Sequence, residues 1–270
     1  MRISYKTAGT ASLALAFFVP ALALASSMVR VESTESAGWT MNPLYAENRP
    51  GGSVELSSAY GAPGGLGAQS LKLVTTDGSA KAQLAHPLSE PVLLSDVNEL
   101  SYYTYRSSAS TSTPKSQLPA INLVIDYNGA AGGGFATLVY EPVYQTGGAS
   151  AIHEDTWQQW DATGSAIWWS TRSMPGVPNA FTSYVSLEDI VANNPDAVVG
   201  SYIINQGSGN GGLMAGVDGF NFNGTVFNFE PKALKATDKE QCKNYGWRDD
   251  FVTQYKNQGA CVSSVVAHKD

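Results

Sequence analysis

Charge is scarce in this sequence. Asp, Glu, Lys and Arg make up 14% of the chain, against about 25% in an average globular protein. A helix-rich bundle needs far more charge on its exposed faces, so that class is excluded. Disorder is excluded too, because 43% of the residues are hydrophobic and 10% aromatic, enough to bury a core. Basic side chains are rarest where the chain is longest. Residues 26–230 hold 7 Lys and Arg against 18 Asp and Glu, a net charge that repels polyphosphate and excludes nucleic acid as the main partner.

Histidine, catalytic motifs and long apolar runs are also wanting. The three histidines are His86, His153 and His268. Only His153 has a site-like setting, and His153-Glu154 lacks the second histidine of a zinc-binding H-E-x-x-H. No G-x-S-x-G nucleophile elbow occurs. Gly207, Gly209 and Gly212 satisfy G-x-G-x-x-G on paper, but a dinucleotide site needs a helix N-terminus next. Leu213 to Val217 reads as another strand, and Asn205 to Gly212 as a hairpin connection. The single apolar run lies at the start. Arg2 and Lys6 precede Ala11–Val19, and Ala23-Leu24-Ala25 places small residues where a signal peptidase inspects them. Residues 1–25 are therefore expected to be a leader cleaved before Ser26, giving an exported chain with no membrane span. Ala8–Ala25, interrupted by Gly, Thr, Ser and Pro, is a poor membrane anchor.

What is present is a series of short β-type runs between turns rich in Gly, Pro, Ser and Asn. Leu71 and Leu73 alternate with Lys72 and Val74; Glu99–Arg106 is rich in Tyr. Ile121–Tyr127 and Phe135–Tyr140 flank the glycine-rich turn Asn128–Gly134. Trp157–Asp161, Ile167–Thr171, Val198–Asn205, Leu213–Phe222 and Val226–Phe229 continue the series. With no alternating helices, this predicts an all-β, antiparallel β-sandwich rather than a parallel α/β sheet. One helix is expected, capped by Ser186, with Leu187, Ile190 and Val191 on one face and Pro195 at its end. Ser107–Gln117 reads as a mobile polar loop. The segment 26–230 is taken as the sandwich and 231–270 as a basic tail.

That tail holds both cysteines, Cys242 and Cys261, which an oxidising compartment would join. Closing such a loop stabilises by about 3 kcal/mol in the chain-entropy model. Trp247, Phe251 and Tyr255 recur at spacing four, one helical stripe. It packs the tail on itself or on the sandwich, or else serves a partner.

Four tryptophans, Trp157, Trp160, Trp168 and Trp169, fall within thirteen positions. Neighbours on a strand point to opposite faces, so Trp168 and Trp169 cannot share one core and one of them should face outward. An exposed indole is a platform for pyranose rings, with carboxylates, amides and arginine for the hydroxyls. Trp168, Trp169 and Trp160 are the candidate platforms, and Tyr140, Asp161 and Arg172 their candidate partners; the bland alternative is that most of these rings simply pack the interior. Glu141 and Asp161 are the carboxylates a hydrolase or lyase would use, if a pair stood about 5–10 Å apart.

Two resemblances follow. Gly67–Leu73 (G-x-x-S-L-x-L) and Gly216–Phe222 (G-x-D-x-F-x-F) resemble the first and last core strands of secreted jelly-roll domains, carbohydrate-binding modules among them. That resemblance implies a structural calcium held by an early Glu and a late Asp, here Glu32 and Asp218; a hydrogen-bonded structural role for Asp218 is the competing reading. The tail, Cys242-Lys243-Asn244-Tyr245-Gly246-Trp247 through Lys256-Asn257-Gln258-Gly259-Ala260-Cys261-Val262, resembles a C-terminal segment of uncharacterised exported bacterial proteins. The expectation is a secreted, non-catalytic module recognising a polysaccharide or other cell-surface ligand. The alternatives are a polysaccharide hydrolase or lyase on the same scaffold, and a structural secreted interaction protein.

Overall fold

A computed structural model describes residues 27–266; the leader and the cleavage position before Ser26 lie outside the described residues. The chain forms two stacked sheets. The first contains β1 (Ser27–Arg30), β2 (Gly52–Ser57), β3 (Ser70–Thr75), β5 (Leu100–Arg106), β8 (Trp157–Asp161), β12 (Leu213–Phe222) and β13 (Thr225–Asn228). The second contains β4 (Ala82–Leu93), β6 (Ala120–Asp126), β7 (Phe135–Tyr140), β9 (Ile167–Ser170), β10 (Val185–Ser186) and β11 (Val198–Gln206), in the order β10-β9-β7-β6-β11-β4. In the first sheet β12 is the centre: it pairs β3 and then β13 along its length, and β5 as well. β2 and β8 flank β3 and β5. All of these pairings are antiparallel except that of β1 with β13.

Period-two alternation builds the core. Leu71 and Leu73 of β3, Leu100 and Tyr102 of β5, Leu123 and Ile125 of β6, and Leu138 and Tyr140 of β7 all point between the sheets and are buried. Trp39, in the loop before β2, sits at one end of this interior. Its ring lies 5.3–5.5 Å from those of His86, Tyr202, Phe220, Phe227 and Phe229, mostly edge-on, the geometry aromatic quadrupoles favour. The predicted helix is present as α1 (Leu187–Asn193), with the Asp189 N–H donating to Ser186 Oγ at 3.1 Å and Leu187 and Ile190 buried.

Three sequence readings are corrected, and one strand escapes them. β4, twelve residues long, is not legible as a strand, because Pro87 and Pro91 interrupt its pattern; it tolerates them as an edge strand paired to β11, with only Ala85 bridged to Thr40 on its other side. Asn205–Gly212 is not a hairpin, since it carries the chain from β11 of one sheet to β12 of the other. Ser107–Gln117 is anchored rather than mobile. Buried Arg106 donates from Nη1 to Ser112 Oγ (3.0 Å) and to the Gln117 carbonyl (3.2 Å), and Ser110 both donates to and accepts from the Met214 backbone. The tail's stripe is not one helix. Helix α2 covers only Gly246–Asp249, and Phe251 makes a bridge to Ala233 instead.

Trp247, Phe251 and Tyr255 nonetheless meet in a small cluster around Cys242 and Cys261. These cysteines form a disulfide with Cα atoms 5.8 Å apart. The tail's third helix, α3, spans Gln258–Val266. Arg30 ties the tail to the sandwich, through Nη1 to Asp250 Oδ1 and Nε to the Glu230 carbonyl, both at 2.7 Å. No helix among the described residues is long and apolar enough to cross a membrane. Replacing both Cys242 and Cys261 by serine should make the tail protease-sensitive while the sandwich melts as before; limited proteolysis followed by mass spectrometry would read this.

Asp218 stands out in the core of the first sheet. It is fully buried; Oδ1 accepts the N–H groups of Gly219 (2.8 Å) and Phe229 (2.9 Å), and Oδ2 has no partner among the described residues. Burial pushes this carboxyl up to about 7 from 3.8, against the pull of those two N–H groups. The folded chain thus holds the proton more tightly than the unfolded chain does. The stability this contributes is complete below about pH 4 and is lost as pH rises through about 7, a change on the order of 4 kcal/mol. Thermal melting should therefore fall between pH 5 and pH 8, and Asp218→Asn should flatten that slope.

Candidate functional site

The site is set by how β9 lies beside β7. Tyr140 falls opposite Trp168 and Val139 opposite Trp169, so the two tryptophans part company. Trp168 is fully buried, its indole N–H donating to the Ala162 carbonyl at 3.0 Å. Trp169 turns to the outer face, half-buried, and donates to Glu141 Oε2 at 2.8 Å. Burial pushes the Glu141 carboxyl above the usual carboxylate range, and the Trp169 N–H only partly offsets this.

Local sequence explains the surroundings. Pro142 opens a single 3-10 turn over Pro142–Tyr144, just after β7. The Gln145 side chain then pins that turn to β9, exchanging both of its amide bonds with the backbone of Ile167 (2.9 Å each). This leaves Tyr144 on the surface against Tyr184, their rings 4.6 Å apart. A hydrogen bond that the Tyr144 hydroxyl donates to Tyr184, burial and the Glu141 charge together push that hydroxyl up. Phe181, in the loop before β10, approaches Trp169 at 5.7 Å. At the start of β7 the Arg172 guanidinium lies 5.5 Å from the centre of the Phe135 ring, within cation–π range.

The result is a strip of exposed aromatics along the outer face of the second sheet. Phe181 is 58% exposed, Phe135 55%, Tyr184 46% and Tyr144 44%. Trp169 and Glu141 lie at its centre and Arg172 at one end. Four of these aromatics escape the sequence reading. Tyr144, Phe181 and Tyr184 stand outside the period-two runs, where alternation assigns a ring no face, while Phe135 opens β7 on its outer face.

The remaining predicted residues go elsewhere. Trp168 and Tyr140 are core residues and cannot serve as surface platforms. Trp160 packs against the core, with its indole N–H on Thr104 Oγ1 at 2.8 Å. Tyr140, Trp160 and Asp161 do line one cleft of about 300 Å³ at the β8 edge, where the Asp161 charge adds to burial in raising the Tyr140 hydroxyl. Glu141 lines a different cleft, of about 320 Å³, with Gln117, Tyr144 and Asn210. Asp161 Oδ1 is occupied by the Thr163 N–H and hydroxyl (2.9 and 2.6 Å). The two carboxylates therefore line separate clefts.

The two residues implied as calcium ligands have other neighbours. Glu32 pairs with Lys232 at 3.1 Å, and the carboxylate whose charge acts on Asp218 is that of Glu230. Among the described residues no three Asp, Glu, His or Cys side chains converge on one point. Asp218 Oδ1 is held by the backbone N–H groups of Gly219 and Phe229. A cleft of about 640 Å³ lies between the sandwich and the tail. Its charged groups are already engaged, Arg30 with Asp250, Lys232 with Glu32, and Glu230 with the N–H groups of Ala68 and Gln69.

The two adjacent tryptophans should differ sharply on truncation. Trp168→Ala should cost about 3–5 kcal/mol through its core cavity, and Trp169→Ala about 1–2 kcal/mol from partial burial. Chemical denaturation of both variants checks this.

No family model matches the chain, and no curated protein matches it. Among solved structures it is similar to an arabinose-bound MgGH51 α-L-arabinofuranosidase, at 11% identity and a TM-score of 0.34, over 76% of this chain and 30% of that one. The chain thus spans under a third of that enzyme's length, and a likeness of this degree carries no argument about function.

Proposed function

We propose that this chain is a secreted, non-catalytic binding module that recognises a glycan or another extracellular surface through the aromatic strip. One observation carries the reading: Trp169 faces outward with its N–H tied to Glu141 and with exposed Phe181, Tyr144 and Tyr184 around it. Large apolar rings at a surface cost free energy until something covers them. Pyranose rings cover them well, since their C–H faces stack on aromatics while their hydroxyls need acceptors and donors. Glu141 and Arg172 supply both within the strip. Export by the leader 1–25 would place the module outside the cytoplasm, where its disulfide persists.

Native affinity electrophoresis through gels cast with soluble polysaccharides tests the reading. Retardation by at least one polymer is expected, and Trp169→Ala or Tyr184→Ala should weaken it about tenfold or more, in line with the loss of one stacking platform. Unchanged retardation in both variants would overturn it. A second reading, hydrolase or lyase, draws on Glu141 alone, whose raised carboxyl suits a general acid. Release of reducing ends or of unsaturated products, abolished by Glu141→Gln, would favour that reading over binding.

A further inference from the structure

The outer face of the first sheet carries polar clefts that the aromatic strip does not use. One of about 370 Å³ and one of about 220 Å³ share Ser101, Gln159 and Asn221, and so form one groove across β8, β5 and β12. Register sets its floor: Tyr103 lies opposite Gln159, and Ser101 opposite Asp161. Because Tyr102 and Trp160 point into the core, Tyr103, Gln159 and Asp161 must point out.

Several groups are held in place while keeping bonding capacity free. The Tyr103 hydroxyl donates to Gln159 Oε1 at 3.2 Å, which orients the amide; Gln159 Nε2 finds no partner among the described residues. Asn221 fixes Glu99 by donating to Oε2 at 3.0 Å and accepts the Gly224 N–H at 3.0 Å. Asp161 offers Oδ2, since Oδ1 is taken by Thr163. Gly219 keeps the bed open. It adopts φ +55°, and a Cβ there would stand 2.9 Å from Tyr103 Cδ2, at the point where β12 slips register against β5. The groove thus combines an amide donor, two carboxylate acceptors and one phenol ring, and no Lys or Arg lines it. Such a lining accepts the hydroxyls of a neutral sugar and repels uronates and sulfated chains.

We propose that this groove is a second glycan site, specific for neutral polysaccharide and lying on the face opposite the strip, so that one molecule holds two polymer strands at once. The proposal rests on the glycan reading of the strip for its second attachment point. Two sites facing apart cannot close on one short oligosaccharide. They cross-link long chains instead, with the gain in avidity that bivalency brings.

The test uses the full-length mature chain with galactomannan, hydroxyethylcellulose and polygalacturonate, followed by light scattering and affinity electrophoresis. Neutral polymers should be cross-linked at low protein ratios. Gln159→Ala should weaken the groove about fivefold, the worth of one net hydrogen bond. Gln159→Glu, which keeps the side chain's shape but removes the donor, should do at least as much; both should abolish the scattering while Trp169-dependent retardation persists. Trp169→Ala should likewise abolish scattering but keep Gln159-dependent retardation. Scattering that survives both Gln159 substitutions, or a preference for polygalacturonate lost with them, overturns the groove alone. Retardation that depends on Gln159 but not on Trp169 overturns the strip and leaves the groove as a single site, so the bivalent proposal falls. Retardation by no neutral polymer overturns both.

Discussion

When β9 pairs with β7, one dipeptide is divided between two environments. Trp168 goes to the interior beside Tyr140, with their rings 5.5 Å apart, and Trp169 goes to the surface beside Val139. A slip of one residue would exchange them, sending the indole bonded to Glu141 into the core and Trp168 out to solvent. The surroundings of Trp169 depend on that register, because Glu141, the turn after it and the loop carrying Phe181 are all anchored to β9.

Polar groups in the sandwich follow a related logic. Arg106 is completely buried, yet its guanidinium is spent on Ser112 and Gln117 and stands 3.4 Å from Glu154. It converts a serine- and threonine-rich segment from solvated loop to packed layer. Asp218 does the comparable work midway along β12, where one oxygen gathers two N–H groups at a bulge. Desolvation taxes the charge of each, and geometry decides whether enough hydrogen bonds remain to hold it.

The sandwich was readable because its strands obey period two. β7 and β12 match their sequence boundaries, and α1 announces itself through Ser186 and Asp189. β4 was not readable, since proline removes the ladder donors that define a strand and only an edge position tolerates it. Of the site, Trp169, Glu141 and Arg172 were legible as chemistry. Their companions Tyr144, Phe181 and Tyr184 were not, because a ring in a loop has no periodicity to say which way it points.

By itself the sequence determined the class of fold, the helix that interrupts it, and that Trp168 and Trp169 would face opposite ways. Those are properties of neighbouring residues on one backbone, and backbone geometry is local. Only the tertiary structure decided which indole was the outer one, that Glu141 and Asp161 line separate clefts, and that β11 and β12 belong to different sheets. Each of these depends on which strands become neighbours. Burial on the two faces of a sheet is settled by what packs there, and that is contributed by residues far away in the chain.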